Sequence, residues 1–122
     1  MAWTKSPEAL VNLFIESLPQ DSRIERRKMF GYPAAFVNGN MFAGLFQDQM
    51  FARLPPEERG DLEGRFGPLP FEPMQGRPMK DYTRLPDDIV ADEAEVAGWL
   101  ARSLAWSLTL QPKDKKATKP KT

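Results

Sequence analysis

The side chains best suited to hold an anion or transfer a proton stand close together in the second half of the chain. Arg77 lies in the motif GRPM (residues 76–79), and its guanidinium offers a planar fork of donors for an anion. Tyr82 follows shortly afterwards and could donate a proton in a pocket. An enzyme or a small-ligand binder would need one deep pocket that gathers these two residues with Arg53 and Asp81.

Each of these residues also has a structural interpretation. Arg77 could stand in a turn that enters an edge strand and pair with a carboxylate such as Asp81 or Glu72. A tyrosine commonly buries its ring and leaves its hydroxyl at the rim of a cluster, which would account for Tyr82. We favour the structural interpretation, because nothing in the spacing of these residues defines a catalytic pair.

The composition excludes most familiar catalytic chemistry. The 122 residues include no histidine and no cysteine, so His-based triads, zinc sites, thiolate nucleophiles and disulfides are excluded. No loop has the alternating ligands of a calcium site. We therefore expect a protein that is not an enzyme and that uses no cofactor or metal.

Length and composition favour one domain. The chain is 41% hydrophobic, which is enough for one core. We expect residues 1–111 to form a single domain, and residues 112–122 to form a disordered lysine-rich tail that cannot offset its ordering entropy. No run approaches the roughly 18 apolar residues of a membrane span, and no signal-peptide pattern is present. The expected location is the cytoplasm.

The charge is distributed unevenly. Residues 1–112 hold 12 Lys/Arg and 16 Asp/Glu, a net charge of −4, whereas residues 113–122 hold five Lys and one Asp, a net charge of +4. A folded domain that grips DNA is normally basic, so we do not favour nucleic acid as the partner. Direct DNA binding would depend on the tail and on the cluster Arg26, Arg27 and Lys28. That cluster could instead contact an acidic partner, or could simply be a solvated linker.

The elements that would position these residues follow from the apolar pattern. Residues 28–54 contain three apolar segments separated by turn-forming residues at Asn38-Gly39 and at 47–49, which predicts a three-stranded antiparallel meander. Its strands carry apolar side chains on both faces, so both faces should be covered. One cover is expected to be helical. The other is expected to be a further helix or a second copy of the chain.

Three helices are predicted around the meander. The first begins with Ser6 as N-cap and ends before Pro19, and the second, poorer helix spans residues 55–65. The last helix begins at the N-cap Asp92 and carries a broad apolar stripe. Trp99 and Trp106 lie near one side of it. They could form a partner surface, although core packing explains them more simply.

The remaining segments are polar or rich in proline. Residues 20–28 are expected to be an exposed link into the first strand, and residues 67–76 irregular chain or an edge strand. Residues 79–85 are expected to form another short strand.

Several short motifs, taken in order, resemble the N-terminal domain of TfoX/Sxy-type proteins. The similarity covers roughly residues 24–108. The motifs are KMFG (28–31), the hairpin VNGNMFA (37–43), FARL (51–54), GRPM (76–79), Tyr82 and the closing helix (92–104).

This resemblance implies an α+β, two-layer domain in which N- and C-terminal helices pack on an antiparallel sheet, similar to secretion-chaperone-like folds that often dimerise. It also implies a bacterial cytoplasmic protein. The named members regulate the transcription of competence genes, acting with another DNA-binding regulator. The family supplies no established catalytic residues.

We therefore expect a homodimeric, non-enzymatic regulatory domain that acts through protein contacts in transcription regulation. Two alternatives stay open: a ligand-binding protein or enzyme with a pocket near Arg53, Arg77 and Tyr82, and a non-specific DNA binder that uses the basic tail. The candidate partner-binding residues are Arg26, Arg27, Lys28, Arg77, Tyr82, Trp99 and Trp106.

Overall fold

The structure is a computed structural model that describes residues 6–29, 31–73, 76 and 79–112. Residues 113–122, most of the expected tail, and the candidate residue Arg77 therefore lie outside the described residues. The elements in chain order are α1 (Glu8–Ser17), β1 (Ile24–Met29), β2 (Tyr32–Val37), β3 (Asn40–Phe46), β4 (Gln49–Arg53), α2 (Pro56–Phe66), β5 (Tyr82–Arg84), α3 (Asp87–Val90) and α4 (Glu93–Leu108).

The five strands form one antiparallel sheet whose spatial order, β1-β2-β3-β4-β5, follows the chain. The predicted meander is confirmed as β2, β3 and β4. In its first turn Asn38 and Gly39 have φ angles of 52° and 80°. Positive φ at both central residues is what a tight hairpin turn requires, so the Asn-Gly pair sets the register of this hairpin.

The segment that precedes the meander differs from the prediction. It was expected to be an exposed link, but residues 24–29 form β1, which pairs with β2 from Ile24 opposite Val37 to Met29 opposite Tyr32. An edge strand exposes much of its surface, so it does not need the apolar alternation by which strands are recognised. The predicted N-cap of α1 is also wrong: Pro7 takes that position, and the Ser6 hydroxyl donates instead to the Gln47 carbonyl at 2.6 Å.

One face of the sheet, which we call the helix face, is covered by α1 and α4. α4 contacts β2, β3 and β4 and also packs against α1. Its predicted N-cap is confirmed, because the Asp92 carboxylate accepts hydrogen bonds from the backbone N–H groups of Ala94 and Glu95. Buried side chains at the centre of this layer are Phe14, Leu45, Met50, Val96 and Leu100.

The opposite face, which we call the aromatic face, is covered by the irregular segment after α2. The Phe71 ring stacks on Phe51 with centroids 4.0 Å apart and contacts Phe46 edge-on. The Met79 N–H donates to the Phe71 carbonyl at 2.8 Å. The described part of this segment thus supplies cover on the aromatic face, where a further helix or a second copy was expected.

The described helices are too short or too polar to cross a membrane. The predicted second helix is confirmed as α2, and the predicted short strand as β5, which is shorter than expected. The resulting architecture is an α+β, two-layer domain with helices from both ends of the described chain on one face of an antiparallel sheet.

Candidate interaction surface

The predicted cationic cluster lies on β1, at one edge of the sheet. Arg26 and Lys28 stand opposite Ala35 and Pro33 of β2 and are exposed. Because side chains alternate along a strand, both project from the helix face, while Arg27 projects from the aromatic face. Sequence reasoning identified these cations but missed the strand that spaces them.

Arg27 is engaged within the domain. Its guanidinium donates to the Glu25 carboxylate at 3.2 Å, and its Cζ atom lies 4.0 Å from the centroid of the Phe36 ring. Arg26 and Lys28 form no ion pair with any carboxylate that the structure describes. Two exposed positive charges therefore remain without a partner on the helix-face side of β1.

A hollow lined by both apolar and charged side chains runs beside these two cations, between β1 and the C-terminal half of α1. Its larger part, about 490 Å³, is lined by Ile15, Leu18, Ile24 and Arg26, together with Glu16 and Asp21. An adjoining part of about 270 Å³ shares Ile15 and Arg26 and adds Phe14, Lys28 and Pro33. We call the two parts together the α1/β1 groove.

The two ends of the α1/β1 groove differ in chemistry. Ile15 is 38% exposed and is the most exposed large apolar side chain of the described residues. The Asp21 carboxylate is already bound by Arg23, whose guanidinium holds the pKa of Asp21 down at about 2. Glu16, on α1, adds a negative charge at the far end, so the groove is cationic at the Lys28 end and carries both apolar and acidic side chains along α1.

The residues that could do chemistry come together at the opposite edge of the sheet, beside β5. An Arg53 guanidinium nitrogen lies 3.5 Å from one oxygen of Asp81, and an Arg59 nitrogen lies 3.4 Å from the other. The Arg53 guanidinium also lies over the Tyr82 ring, at 5.5 Å from its centroid. Arg59 was missed from the sequence, because only the fold shows that the start of α2 adjoins the turn before β5.

This cluster is internally paired. The Tyr82 hydroxyl donates to the Met41 carbonyl at 2.8 Å. Burial raises the pKa of Tyr82 above its ordinary value of 10.0, so the hydroxyl stays protonated and remains a donor at neutral pH. Asp81 has a φ of 75°, and its carbonyl accepts from the Leu54 N–H at 3.1 Å. These contacts join the end of β4 to the start of β5, which is a structural role.

The two candidate tryptophans differ in exposure. Trp99 is 3% exposed, and its indole N–H donates to the Glu95 carboxylate at 3.2 Å, so the structure puts this ring in the core. Trp106 is partly exposed. Of the pair, Trp106 is the one with ring surface that a partner could contact.

Comparison with known proteins identifies the family of this chain. The sequence matches the TfoX N-terminal domain family over residues 16–106. This range includes the whole sheet, nearly all of α4 and most of the α1/β1 groove. No curated protein gives a significant match. Because the family match covers most of the sequence and the resemblance of its motifs is confirmed, the chain belongs to the TfoX N-terminal domain family.

Proposed function

We propose that this protein is a non-enzymatic regulatory domain that acts in the bacterial cytoplasm through protein contacts in transcription regulation. The observation that supports this proposal is the contrast between its two charged regions. Arg53, Arg59 and Asp81 near β5 are paired with one another, whereas Arg26 and Lys28 face solvent beside the α1/β1 groove. Unpaired cations next to exposed apolar surface favour a protein partner.

The test is affinity purification of the tagged full chain from its native cells after cross-linking. We expect a transcription regulator or an RNA polymerase subunit to co-purify with the wild type. The double variant Arg26→Glu/Lys28→Glu should lose that protein. Lys80→Glu, an exposed control of the same charge sign next to β5, should retain it. Recovery of no transcription component with the wild type would contradict the proposal.

We also propose that two copies associate through the outer face of α4. This face carries a stripe of small side chains over several turns, which would let a second helix approach closely, and the exposed Arg102 lies between that stripe and the partly exposed Trp106. The exposed small residues are Ala94, Ala97, Gly98, Ala101 and Ala105.

Sedimentation velocity at micromolar concentrations tests this association. Ala101→Glu places a charge on the exposed face without touching the core, so it should convert a dimer into monomers. Trp106→Ala should weaken association if the ring is interfacial, and should mainly lower stability if the ring is core. A wild-type protein that stays monomeric at every concentration would contradict the dimer.

A second candidate function is anion binding at the cluster beside β5. Two guanidinium groups share the single Asp81 carboxylate, and the Nε atom of Arg53 is buried without a hydrogen-bond partner. This arrangement leaves a local excess of positive charge. Phosphate or a carboxylic acid that raises the melting temperature of the wild type but not of Arg53→Gln would support this candidate.

A further inference from the structure

We infer that the α1/β1 groove binds an extended acidic segment of a partner protein, which adds to the sheet as a sixth strand outside β1. The inference rests on the proposed function, since it names the chemistry of the protein contact. It differs from the proposed dimer, which uses α4 on another part of the molecule.

The first argument is the state of the two sheet edges. The outer side of β1 faces no other strand in the described part of the chain. The outer side of β5 is occupied: Pro70 forms a bridge with Thr83, and the Arg84 N–H donates to the Leu69 carbonyl at 3.0 Å. A free edge can supply main-chain hydrogen bonds to an added strand, so β1 is the edge with this capacity.

The second argument is charge. Arg26 and Lys28 are two residues apart on one face of β1, about 7 Å from each other along the strand. An added strand with Asp or Glu at alternate positions would set its carboxylates directly opposite them, and such cross-strand pairs of opposite charge are favourable. The rest of the described domain is rich in acidic residues, so this pair marks a local positive region.

The third argument is the apolar wall. Side chains that project from the added strand toward the helix face would reach the hollow lined by Ile15, Leu18 and Ile24. An aliphatic residue on the same face of the added strand, two or four residues from the acidic ones, would cover the exposed Ile15. The segment that fits is therefore both acidic and aliphatic.

A second copy of β1 fits this edge poorly. Two β1 strands paired antiparallel, with their faces kept in common, would meet as Arg26 against Arg26 when centred there, with Glu25 opposite Arg27 on either side. Centred on Arg27, they would place Arg26 against Lys28. Like charges directly opposite each other are destabilising, and charged residues on edge strands protect against such pairing. The same cations that repel a copy attract an acidic strand.

The probe is a fluorescein-labelled peptide of eight residues with two Glu and then two Val at successive alternate positions and Thr between them, so that Glu and Val share one face. It is compared with its Lys and Val counterpart by fluorescence anisotropy on the full chain. We expect the acidic peptide alone to bind the wild type. Arg26→Glu/Lys28→Glu should bind the acidic peptide at least about tenfold more weakly than the wild type does, and should bind the basic peptide. Lys80→Glu should bind both peptides as the wild type does. Arg26→Gln/Lys28→Gln is a milder variant, and its affinity for the acidic peptide should also be lower than that of the wild type.

Strand addition is tested by methylating the amide nitrogens of alternate peptide residues. Two methylated peptides are compared, one with the odd-numbered and one with the even-numbered amide nitrogens methylated. One of them should lose binding and the other should keep it, because only alternate N–H groups of a strand face its neighbour. Equal binding of both methylated peptides would overturn strand addition. No binding of the acidic peptide up to about 1 mM would overturn the inference as a whole. If a transcription partner still co-purifies with Arg26→Glu/Lys28→Glu, the proposed function through protein contacts would hold, but the α1/β1 groove would not be the contact site.

Discussion

The two edges of the sheet are built in opposite ways. β5 has three residues, its central Thr83 is 1% exposed, and its outer side is paired by the segment around Pro70. β1 has six residues, of which Glu25, Arg26 and Lys28 are exposed. An edge strand is a template for association unless it is covered or charged. In this domain one edge strand is covered by another segment, and the other edge strand carries exposed charged side chains.

The comparison separates stability from recognition. At the covered edge the segment that pairs with β5 also buries Leu69 and places the buried Phe71 on the aromatic face. At the charged edge the side chains contact solvent, so they contribute little to folding. Substitutions at the two edges should therefore affect different measurements.

The largest effect is expected for Phe71→Ala at the covered edge. This change removes a fully buried ring that stacks on Phe51, at a cost of about 3–5 kcal/mol in the free energy of unfolding. Urea denaturation measures it. The control is Phe66→Ala on α2, where the ring is only partly buried and the loss should be smaller. Equal losses at the two positions would mean that the segment after α2 does not hold the aromatic face.

A smaller effect is expected from Gly44→Ala on β3. A Cβ atom at this position would lie 2.7 Å from the Phe51 ring and 3.1 Å from the Pro33 carbonyl. The Phe51 ring, which stacks on Phe71, would therefore have to shift. We expect a loss of about 1–3 kcal/mol in unfolding free energy. Gly98→Ala in α4 is the matched control, because nothing lies within 4 Å of its added methyl group. Gly98→Ala should raise the unfolding free energy by up to about 1 kcal/mol. A neutral Gly44→Ala would show that the aromatic face is loosely packed.

The next effect concerns the hydrogen bond between β5 and β3. Tyr82→Phe removes the bond to the Met41 carbonyl and should lower the unfolding free energy by about 1 kcal/mol. Burial raises the pKa of Tyr82 in the folded state, so its contribution is fully present below the unfolded pKa of about 10. That contribution is lost as pH rises through the folded pKa. The difference between wild type and Tyr82→Phe should therefore shrink above pH 10, and a difference that grows there would contradict this reading.

The same comparison explains what the sequence could predict. β2, β3 and β4 were predictable because their apolar segments and the Asn38-Gly39 turn are local signals. The N-cap Asp92 is local in the same sense. In contrast, β1 is defined by its pairing with β2, and the stack of Phe71 on Phe51 joins residues far apart in the chain. Contacts of this kind leave no periodic pattern in either partner.

The candidate site follows the same rule. Arg26 and Lys28 stood out as cations, and Tyr82 as a possible proton donor, because residue types are visible in a sequence. Whether such a group is free depends on distant partners: Met41 for the Tyr82 hydroxyl, and Arg59 for Asp81. Only the fold distinguishes the exposed cations from the paired ones.

The smallest effect on stability, and the sharpest test of the open edge, is expected from Arg26→Thr/Lys28→Thr. Threonine suits a strand, and both side chains are exposed, so the unfolding free energy should change by no more than about 0.5 kcal/mol. Without Arg26 and Lys28, however, the free edge loses the exposed charges on its helix-face side that oppose pairing between copies. Sedimentation velocity should show larger species that increase with protein concentration, whereas the control Lys80→Thr should sediment as wild type. If the double variant sediments as wild type as well, features other than charge protect this edge, and the attraction of an acidic strand to it would lose its main support.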